Sequence, residues 1–303
     1  MKHKLISAKV IADSVCPKGV RMTTMEIEYP RFILAELNTH RMLSKNSASS
    51  RAIPVKAMHE FIRANPATPV SWGKNQPGMK ASEELTGPES KNAIHIWNQA
   101  KEDALHWADA LAHKIGIHKQ IANRITEPWM TMKTVISGTE WTNFFHLRNH
   151  ADAQPEIKAL AEAMTVAYTT HLPVAIKPGE WHLPYITIGT YVPTGELQYF
   201  DENFNRLSLE DAKIISASCC AQVSYRKNDP GFTKAFKIWE QLIENDPVHA
   251  SPIEHQATPM DIDSMCRFEP DTWQPGVSHV SANSDLWSGN LRGWIQHRKL
   301  IRS

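Results

Sequence analysis

The chain has 303 residues, of which 42% are hydrophobic and 21% charged, an ordinary composition for a folded protein with a sizeable core. Its 33 basic and 32 acidic residues leave a net charge of +1, which disfavours a nucleic acid polymer as partner because such proteins usually carry a basic excess. A small anion held by a few arginines stays open, since it needs only local charge.

The predicted elements begin with two strands, at 4–12 and 21–29, where apolar residues alternate with polar ones and β-branched side chains occur. Residues 33–37 then show helical spacing, and residues 73–91 form a polar loop with Gly and Pro. A long helix should follow, because apolar residues recur with a period near 3.6. They are Ile94, Trp97, Ala104, Ala108, Leu111 and Ile115.

Two further helices are predicted at 154–171 and 231–244, each with one apolar face. The apolar residues are Ile157, Leu160, Ala161, Met164, Ala167 and Tyr168 in the first helix, and Phe232, Phe236, Trp239 and Leu242 in the second. Residues 173–205 and 268–292 are expected to be irregular, the former with short strands. Residues 290–301, "NLRGWIQHRKLI", could form a helix with Arg292, Gln296 and Arg298 along one side. No repeat or clear linker interrupts the chain, so we predict one α+β domain over 1–303.

The run "NTHRMLSKNSASSRAIP", residues 38–54, concentrates hydrogen-bonding side chains. Closely spaced Ser and Thr favour capped turns, because their hydroxyls compete for backbone groups. Arg41 and Arg51, ten residues apart, favour a phosphate site instead, since the planar guanidinium matches phosphate oxygens. Both interpretations stay open on these residues alone.

Two other stretches carry candidate functional residues. In "HASPIEHQATPM", residues 249–260, the spacing of His249 and His255 does not match a helical zinc site, and single histidines are more often structural. In residues 122–164, Arg124 and Arg148 lie among apolar and aromatic residues. Such an arginine either extends its charged end to solvent or holds an anion in a dry pocket.

Together these stretches resemble the flavin-dependent thymidylate synthases, the ThyX family, whose signature reads RHRxxSxNExSxRY. The matching positions here are Thr39, His40, Arg41, Ser44, Asn46, Ser47, Ser49, Arg51 and Ala52. "FHLRNHADAQPEI" (145–157) is similar to the family's "LRxxxxAQxEI", and "ANRITEP" (122–128) to its "ARIVLP". "CAQVSY" (220–225) with "HASPIEH" (249–255) resembles "AARVSY…HxSPFEH".

The chain departs from the family pattern in two ways. The "CAQVSY" and "HASPIEH" segments follow the signature instead of preceding it, which implies a divergent member with permuted motif order, with insertions near 173–205 and 262–292. Thr39, Ser47 and Ala52 replace the signature's usual Arg, Glu and Tyr, and these changes fall among the residues expected to bind ligands.

The resemblance implies reductive methylation of dUMP to dTMP with FAD, NADPH as reductant and 5,10-methylenetetrahydrofolate as carbon donor. It implies a ThyX-like fold with an antiparallel sheet and long helices, and a homotetramer whose sites are shared between subunits. Arg148 would polarise the pyrimidine, with His249 near the reacting centre. Expected FAD ligands are His40, Arg41, Ser47, Asn143, Ser251, Ser137 and Thr139. Expected nucleotide ligands are Ser49, Ser50, Arg51, Arg124 and Arg148, and no metal is expected.

Two alternatives remain on the sequence. Glu36, Thr39 and Ser47 change the hydrogen-bonding character where base and flavin would meet, so the protein could instead be a related flavin-dependent methylase or hydroxymethylase acting on dCMP or dUMP. The second alternative is a homologue that binds nucleotide or flavin but catalyses no reaction.

The cysteine spacing and the hydropathy of the chain predict where in the cell the protein is located. Cys16, Cys219, Cys220 and Cys266 lack the spacing of a metal site or a disulfide framework, which favours reduced thiols in a cytoplasmic protein. The first 15 residues are too interrupted for a signal peptide, and no run approaches about 18 apolar residues, so no membrane span is predicted.

Overall fold

The computed structural model describes residues 5–226 and 229–301. Its central sheet has five strands in the order β3-β4-β2-β1-β5. The strands are β1 (Ser7–Val15), β2 (Arg21–Pro30), β3 (Ser44–Ser47), β4 (Thr131–Gly138) and β5 (Val174–Ala175). Neighbours are antiparallel except β1 and β5, which run parallel. The predicted N-terminal strand pair is confirmed, although Lys4, the first residue of the predicted strand, lies outside the described residues.

Eight α-helices lie within the described ranges, and this part of the chain contains no helix with the length and apolar character needed to cross a membrane. They are α1 (Leu34–Asn38), α2 (Val55–Ala64), α3 (Gly87–Asp109), α4 (Lys119–Ala122), α5 (Thr142–Arg148), α6 (Pro155–Thr170), α7 (Leu209–Gln222) and α8 (Phe232–Trp239). Single π-helical turns, Ala110–Ile115 and Glu240–Glu244, extend α3 and α8. The mixture of helices and antiparallel strands confirms the predicted α+β class.

Short strands form three smaller sheets outside the central one. The first contains β6 (Thr187–Tyr191), β7 (Glu196–Phe200) and β8 (Arg206–Leu207). The second contains β10 (His279–Val280), β11 (Leu286–Ser288) and β12 (Leu291–Arg292), and the third pairs β9 (Ala257–Pro259) with β13 (Trp294–Gln296). The expectation of short strands in 173–205 is therefore confirmed.

The main core lies between the central sheet and α6. Ile157, Leu160 and Met164 of α6 pack with Met25 and Ile136 of the sheet, and all five are fully buried. The helix starts where the sequence predicts: Pro155 occupies its first turn, and the Gln154 side chain accepts a hydrogen bond from the Ile157 amide at 3.1 Å. Truncating one of these buried side chains to Ala typically costs about 2–5 kcal/mol.

The sequence patterns did not predict β4 and α7, because both elements are buried on more than one face. β4 carries Thr131, Thr134 and Ser137 inside the protein, which removes the alternation that marks a half-exposed strand. α7 buries nine of its residues, including Lys213 and Gln222, so it lacks the single apolar stripe of a surface helix.

Three expectations about helices need correction. Ile94 and Ile115, predicted on the inner face of the long helix, are exposed, and the π-helical turn changes the helical period before Ile115. Phe232 and Phe236 of α8 are also exposed, while Ala235 faces the interior. Residues 290–301, a possible helix on the sequence, contain β12 and β13 instead.

The "CAQVSY" (220–225) and "HASPIEH" (249–255) segments, which we call the two late motifs, pack against β3 of the serine-rich run and its neighbour β4. Ser49 donates its amide hydrogen to the Ser224 carbonyl at 3.1 Å, and the Asn46 amide reaches the Cys220 carbonyl at 3.4 Å. On the other side, the Ser137 hydroxyl of β4 lies 2.8 Å from His255 Nδ1. Segments about 120 to 175 residues apart in sequence thus meet at β3 and β4.

Candidate functional site

A polar cavity of about 350 Å³ lies at the end of β3, and we call it the cationic cavity. Four basic side chains line it: Arg31, Lys45, Arg51 and Arg124. Ser47, Ser49 and Ser50 supply hydroxyls, and Leu34 and Asn38 of α1 complete one wall. The cavity brings the serine-rich run together with the arginine from residues 122–128, as the resemblance implies.

The strand pairing of β3 with β4 fixes the start of this cavity, and three further hydrogen bonds hold the turn that follows. Ala48 donates its amide hydrogen to the Lys133 carbonyl at 2.8 Å. The buried Asn123 side chain donates to the carbonyls of Ser50, at 2.8 Å, and Ile53, at 3.0 Å. Because these bonds pin the backbone, the hydroxyls and Arg51 project from a rigid turn.

Positive charge exceeds negative charge among the residues around the cavity. One carboxylate, Glu127, lies 2.9 Å from Arg31 and 3.2 Å from Arg124, and it also accepts a hydrogen bond from the Ser50 hydroxyl. Arg51 is exposed, and its guanidinium has no hydrogen-bond or ion-pair partner within the described residues. The arrangement suits an anion with several oxygens, since guanidinium and hydroxyl donors match phosphate geometry.

Lys45 connects the cavity to a second group of residues. Its ammonium donates to the carbonyls of His40, at 2.6 Å, and Leu43, at 2.9 Å. Burial lowers the pKa of Lys45 to about 8, an effect that nearby Glu254 partly offsets. The lysine is therefore mostly charged at neutral pH and close to losing its proton in mild alkali.

The second group, which we call the Arg148 cluster, consists of Glu36, Thr39, His40 and Arg148. The guanidinium at the end of α5 donates from Nε to His40 Nε2 at 2.8 Å. Its two terminal nitrogens donate to Glu36 Oε2 and Thr39 Oγ1, both at 3.2 Å. Every nitrogen of the fork thus has a partner within the chain, in contrast to Arg51.

His40 is neutral in this cluster. It is nearly buried, its ring meets Phe144 edge-on at 4.9 Å, and burial together with the charge of Arg148 lowers its pKa to about 4. Because Nε2 accepts the hydrogen bond from Arg148, the ring proton resides on Nδ1. A neutral histidine orients the arginine without repelling it.

The remaining predicted site residues divide into an exposed and a bonded set. Arg41, Asn143, His249 and Ser251 are exposed, and their side chains make no hydrogen bond to other described residues. Ser47, Ser137 and Thr139 already have partners within the chain: Thr134 at 2.8 Å, Thr24 at 2.6 Å, and the Arg292 amide at 3.2 Å, respectively. Their roles toward FAD remain predictions.

Ser137 belongs to a buried hydrogen-bonded chain that the sequence did not reveal. It links Thr24 to His255, and Thr24 in turn lies 2.8 Å from His182. Burial lowers the pKa of both histidines to about 3, so both are neutral. The fully buried His255 therefore has a structural setting, as expected for a single histidine.

Sequence reasoning missed Arg31 and Lys45, which line the cavity, and Glu127, which pairs with two of its arginines. Lys45 lies inside the serine-rich run, so its position was available as a signal. Arg31 directly follows Pro30 at the end of β2, and only the pairing of β2 with β4 brings it close to Glu127. No pattern within either segment predicts that contact.

No cysteine belongs to the cationic cavity or to the Arg148 cluster. Cys16, Cys219, Cys220 and Cys266 are all free, and the first three are buried. Burial raises the pKa of Cys219 to about 12 and that of Cys220 well above its usual value, so neither forms a thiolate at neutral pH. Within residues 5–226 and 229–301, no group of His, Cys, Asp and Glu side chains has the geometry of a metal site.

Comparison with known proteins gives a family match and several similar structures. The model of the family described as Thymidylate synthase complementing protein, Thy1, matches residues 20–174. That match contains the signature, Arg124 and Arg148 but not the two late motifs. No curated protein matches the chain.

Two of the similar solved structures are a nucleotide methylase and a thymidylate synthase. One is a UMP/dUMP methylase, PolB, from Streptomyces cacaoi bound with 5-Br UMP, with 17% identity, a TM-score of 0.45 and coverage of 54% of this chain and 88% of the other. Another is the flavin-dependent thymidylate synthase ThyX from Helicobacter pylori complexed with FAD and dUMP, with 20% identity, a TM-score of 0.35 and coverage of 48% and 67%. Since the family model covers half of the sequence, this chain belongs to the Thy1 family, the thymidylate synthase complementing proteins.

Proposed function

We propose that this protein is a flavin-dependent thymidylate synthase that converts dUMP to dTMP, with 5,10-methylenetetrahydrofolate as carbon donor and NADPH as reductant. The observation that carries the proposal is the position of the cationic cavity next to the Arg148 cluster. Both groups use α1, and Lys45 joins them through its hydrogen bond to the His40 carbonyl. One site for a phosphate and one arginine for a base are what a pyrimidine nucleotide requires.

The 5′-phosphate would bind in the cationic cavity. Arg51 and Arg124 would supply charge-assisted hydrogen bonds, while Ser49 and Ser50 would offer hydroxyl groups. Arg51 has no ion pair with another described residue, so it would bind the anion without losing a partner in that part of the chain. Arg124 would have to share its charge with Glu127, which favours a smaller contribution from it.

Arg148 would stabilise negative charge that develops on the carbonyl edge of the pyrimidine while C5 forms its bond to the one-carbon unit and then loses its proton. Glu36, Thr39 and His40 hold the guanidinium in place, so little reorganisation is needed during the reaction. Phe144, packed on His40, keeps one side of the cluster dry, which strengthens the electrostatic effect.

The exposed residues fit a flavin site. Arg41, Asn143 and Ser251 present donors and acceptors to solvent without partners among the described residues, as groups that bind a dinucleotide must. Bound FAD would supply the hydride that completes the methyl group. The family resemblance is what supports a homotetramer in which other copies complete each site, and the buried neutral thiols suit a cytoplasmic location.

A second substrate, dCMP, is favoured by Glu36. A carboxylate only accepts hydrogen bonds, and cytosine carries an amino donor at position 4 where uracil carries a carbonyl acceptor. Glu36 lies 3.2 Å from Arg148, the residue proposed to contact the base. We keep methylation or hydroxymethylation of dCMP as the alternative reaction on the same site.

The test is release of tritium from 5-labelled dUMP and, in parallel, from 5-labelled dCMP, with FAD, NADPH and methylenetetrahydrofolate present. We expect release from dUMP and formation of dTMP. Release from dCMP alone would transfer the function to the alternative substrate. Protein that binds FAD and dUMP yet releases no tritium from either nucleotide would contradict both reactions and favour a non-catalytic binding role.

A further inference from the structure

A second and larger cavity, of about 600 Å³, lies between α2, the turn at 223–225 and α8. We call it the α2–α8 cavity. Its walls are mostly apolar, with Ile53, Met58 and Phe61 on one side and Ile238 on the other. Small-molecule sites commonly have this volume and an apolar lining with few polar groups. Neither the phosphate nor the flavin residues proposed above line this cavity.

Two polar residues at the cavity are available to a ligand. Lys234 pairs with Asp229 at 3.2 Å, but both side chains are about half exposed, at 44% and 53%, so this pair is weak. The exposed Tyr225 hydroxyl has no hydrogen-bond partner among the described residues. By contrast, Gln222 is fully occupied by Ser218 and by the backbone of Asp229.

Arg226 forms a rigid floor for the cavity. Its guanidinium stacks 4.1 Å from the centre of the Phe61 ring and donates to Glu28 and Thr131 at 2.9 Å. Its backbone has φ of +56°, a left-handed conformation that is rare outside glycine. Such strained residues concentrate at functional sites, because the surrounding structure has to hold them in place.

The turn between Ser49 and Pro54 separates this cavity from the cationic cavity. Asn123 and Ser224 pin that turn through the carbonyls of Ser50 and Ile53 and the amide of Ser49. Arg51 faces the cationic cavity, whereas Ala52 and Ile53 line the α2–α8 cavity. The two cavities are therefore neighbours with a fixed common wall and different chemistry.

We propose that the α2–α8 cavity is a second small-molecule site, for a ligand with a flat aromatic body and one acidic group. The aromatic body would pack among Met58, Phe61 and Tyr225, and the acidic group would replace Asp229 as the partner of Lys234. The proposal does not depend on the reaction assigned to the cationic cavity and the Arg148 cluster.

The test uses a fluorescent probe of this class, 8-anilinonaphthalene-1-sulfonate, titrated against the full chain. We expect one saturable site per chain. Ala57→Trp, at an exposed α2 position that lines the cavity, should weaken binding at least tenfold by filling the space, whereas Ala64→Trp, exposed on the same helix but outside the cavity, should leave it unchanged. Equal affinities in the two variants would overturn the site.

The acidic group is tested separately with an uncharged relative of the probe, N-phenyl-1-naphthylamine. Lys234→Gln should weaken the sulfonate about threefold, as expected for one exposed ion pair, and leave the amine unchanged. Lys237→Gln, on the same helix but not lining the cavity, should change neither. Equal binding of the sulfonate by wild type and Lys234→Gln would overturn the assigned charge preference.

A last variant separates this proposal from the proposed function. Arg51→Ala should leave the affinity for the sulfonate probe unchanged, because Arg51 lines only the cationic cavity. A loss as large as that in Ala57→Trp would show that the two cavities are not independent and would contradict the proposal, whatever the nucleotide assays give.

Discussion

The cationic cavity and the Arg148 cluster are both built around arginines, but their charges are balanced differently. Arg51 extends into the cavity without a partner among the described residues, whereas every nitrogen of the Arg148 fork donates to a neighbour in the chain. A free cation is suited to capturing an anion, and a held cation is suited to acting from a fixed position. In the proposed function, the first group therefore binds the nucleotide and the second stabilises the transition state.

The largest expected effect on binding comes from Arg51→Ala. Loss of a charge-assisted hydrogen bond to phosphate costs roughly 1.5–3 kcal/mol, which lowers the affinity for dUMP roughly 10- to 150-fold. Isothermal titration with dUMP measures it, while FAD binding should be unchanged. Arg63→Ala, an exposed α2 arginine outside the cavity, is the matched control. Equal dUMP affinity in Arg51→Ala and wild type would remove Arg51 from the phosphate site.

Glu36→Gln probes the balance of charge inside the Arg148 cluster. The amide can donate to the carbonyl at position 4 of uracil, whereas the carboxylate can only accept. We expect the ratio of dUMP to dCMP turnover, measured by tritium release from each, to rise about tenfold. An unchanged ratio would show that Glu36 does not read the base and acts only through Arg148.

Asn290→Ala loosens both groups at once, since Asn290 holds the chain between them. Its amide donates to the Met42 carbonyl and the Ser44 hydroxyl, both at 3.1 Å. Removing the Asn290 amide should lower the free energy of unfolding by about 1 kcal/mol, measured by urea denaturation. It should also lower the affinity for dUMP a few-fold. Asn283→Ala, an exposed position nearby in sequence, is the control. Wild-type stability together with wild-type dUMP affinity would deny this bracing role.

The smallest effect is a pH dependence confined to the cationic cavity. With a pKa of about 8, Lys45 is charged below that pH and neutral above it, so affinity for an anion should fall as the pH rises from 7 to 9. Sulfate is a suitable probe because its own charge does not change in this range. We expect a decrease of about threefold that Lys45→Arg abolishes. A decrease that persists in Lys45→Arg would assign the titration to another group.

The sequence predicted some parts of the fold and of the two arginine groups and missed others. Motif resemblance predicts that the serine-rich run and Arg124 share one site, and the apolar period of residues 154–171 predicts the helix α6. The ion pair of the cavity residue Arg31 with Glu127 was not predicted, because it depends on strand pairing between distant segments. Elements buried on several faces, β4 and α7, also lack the periodic pattern on which sequence interpretation depends.

Predictions failed in the C-terminal segment for a local reason. Gly293 has φ of +71°, which interrupts any helix through 290–301 and turns the chain from β12 into β13. β13 then pairs with β9, next to the HASPIEH segment, so the late motif is held in place by a segment whose composition suggested a helix.

The most direct test of the central claim is tritium release from 5-labelled dUMP by Arg148→Ala at saturating dUMP. His146→Ala, exposed on the same short helix, serves as the control. We predict that Arg148→Ala releases tritium roughly 10²- to 10³-fold more slowly, as for loss of one preorganised donor, while dUMP still binds within a few-fold of wild type. Wild-type release from Arg148→Ala at saturation would contradict the account.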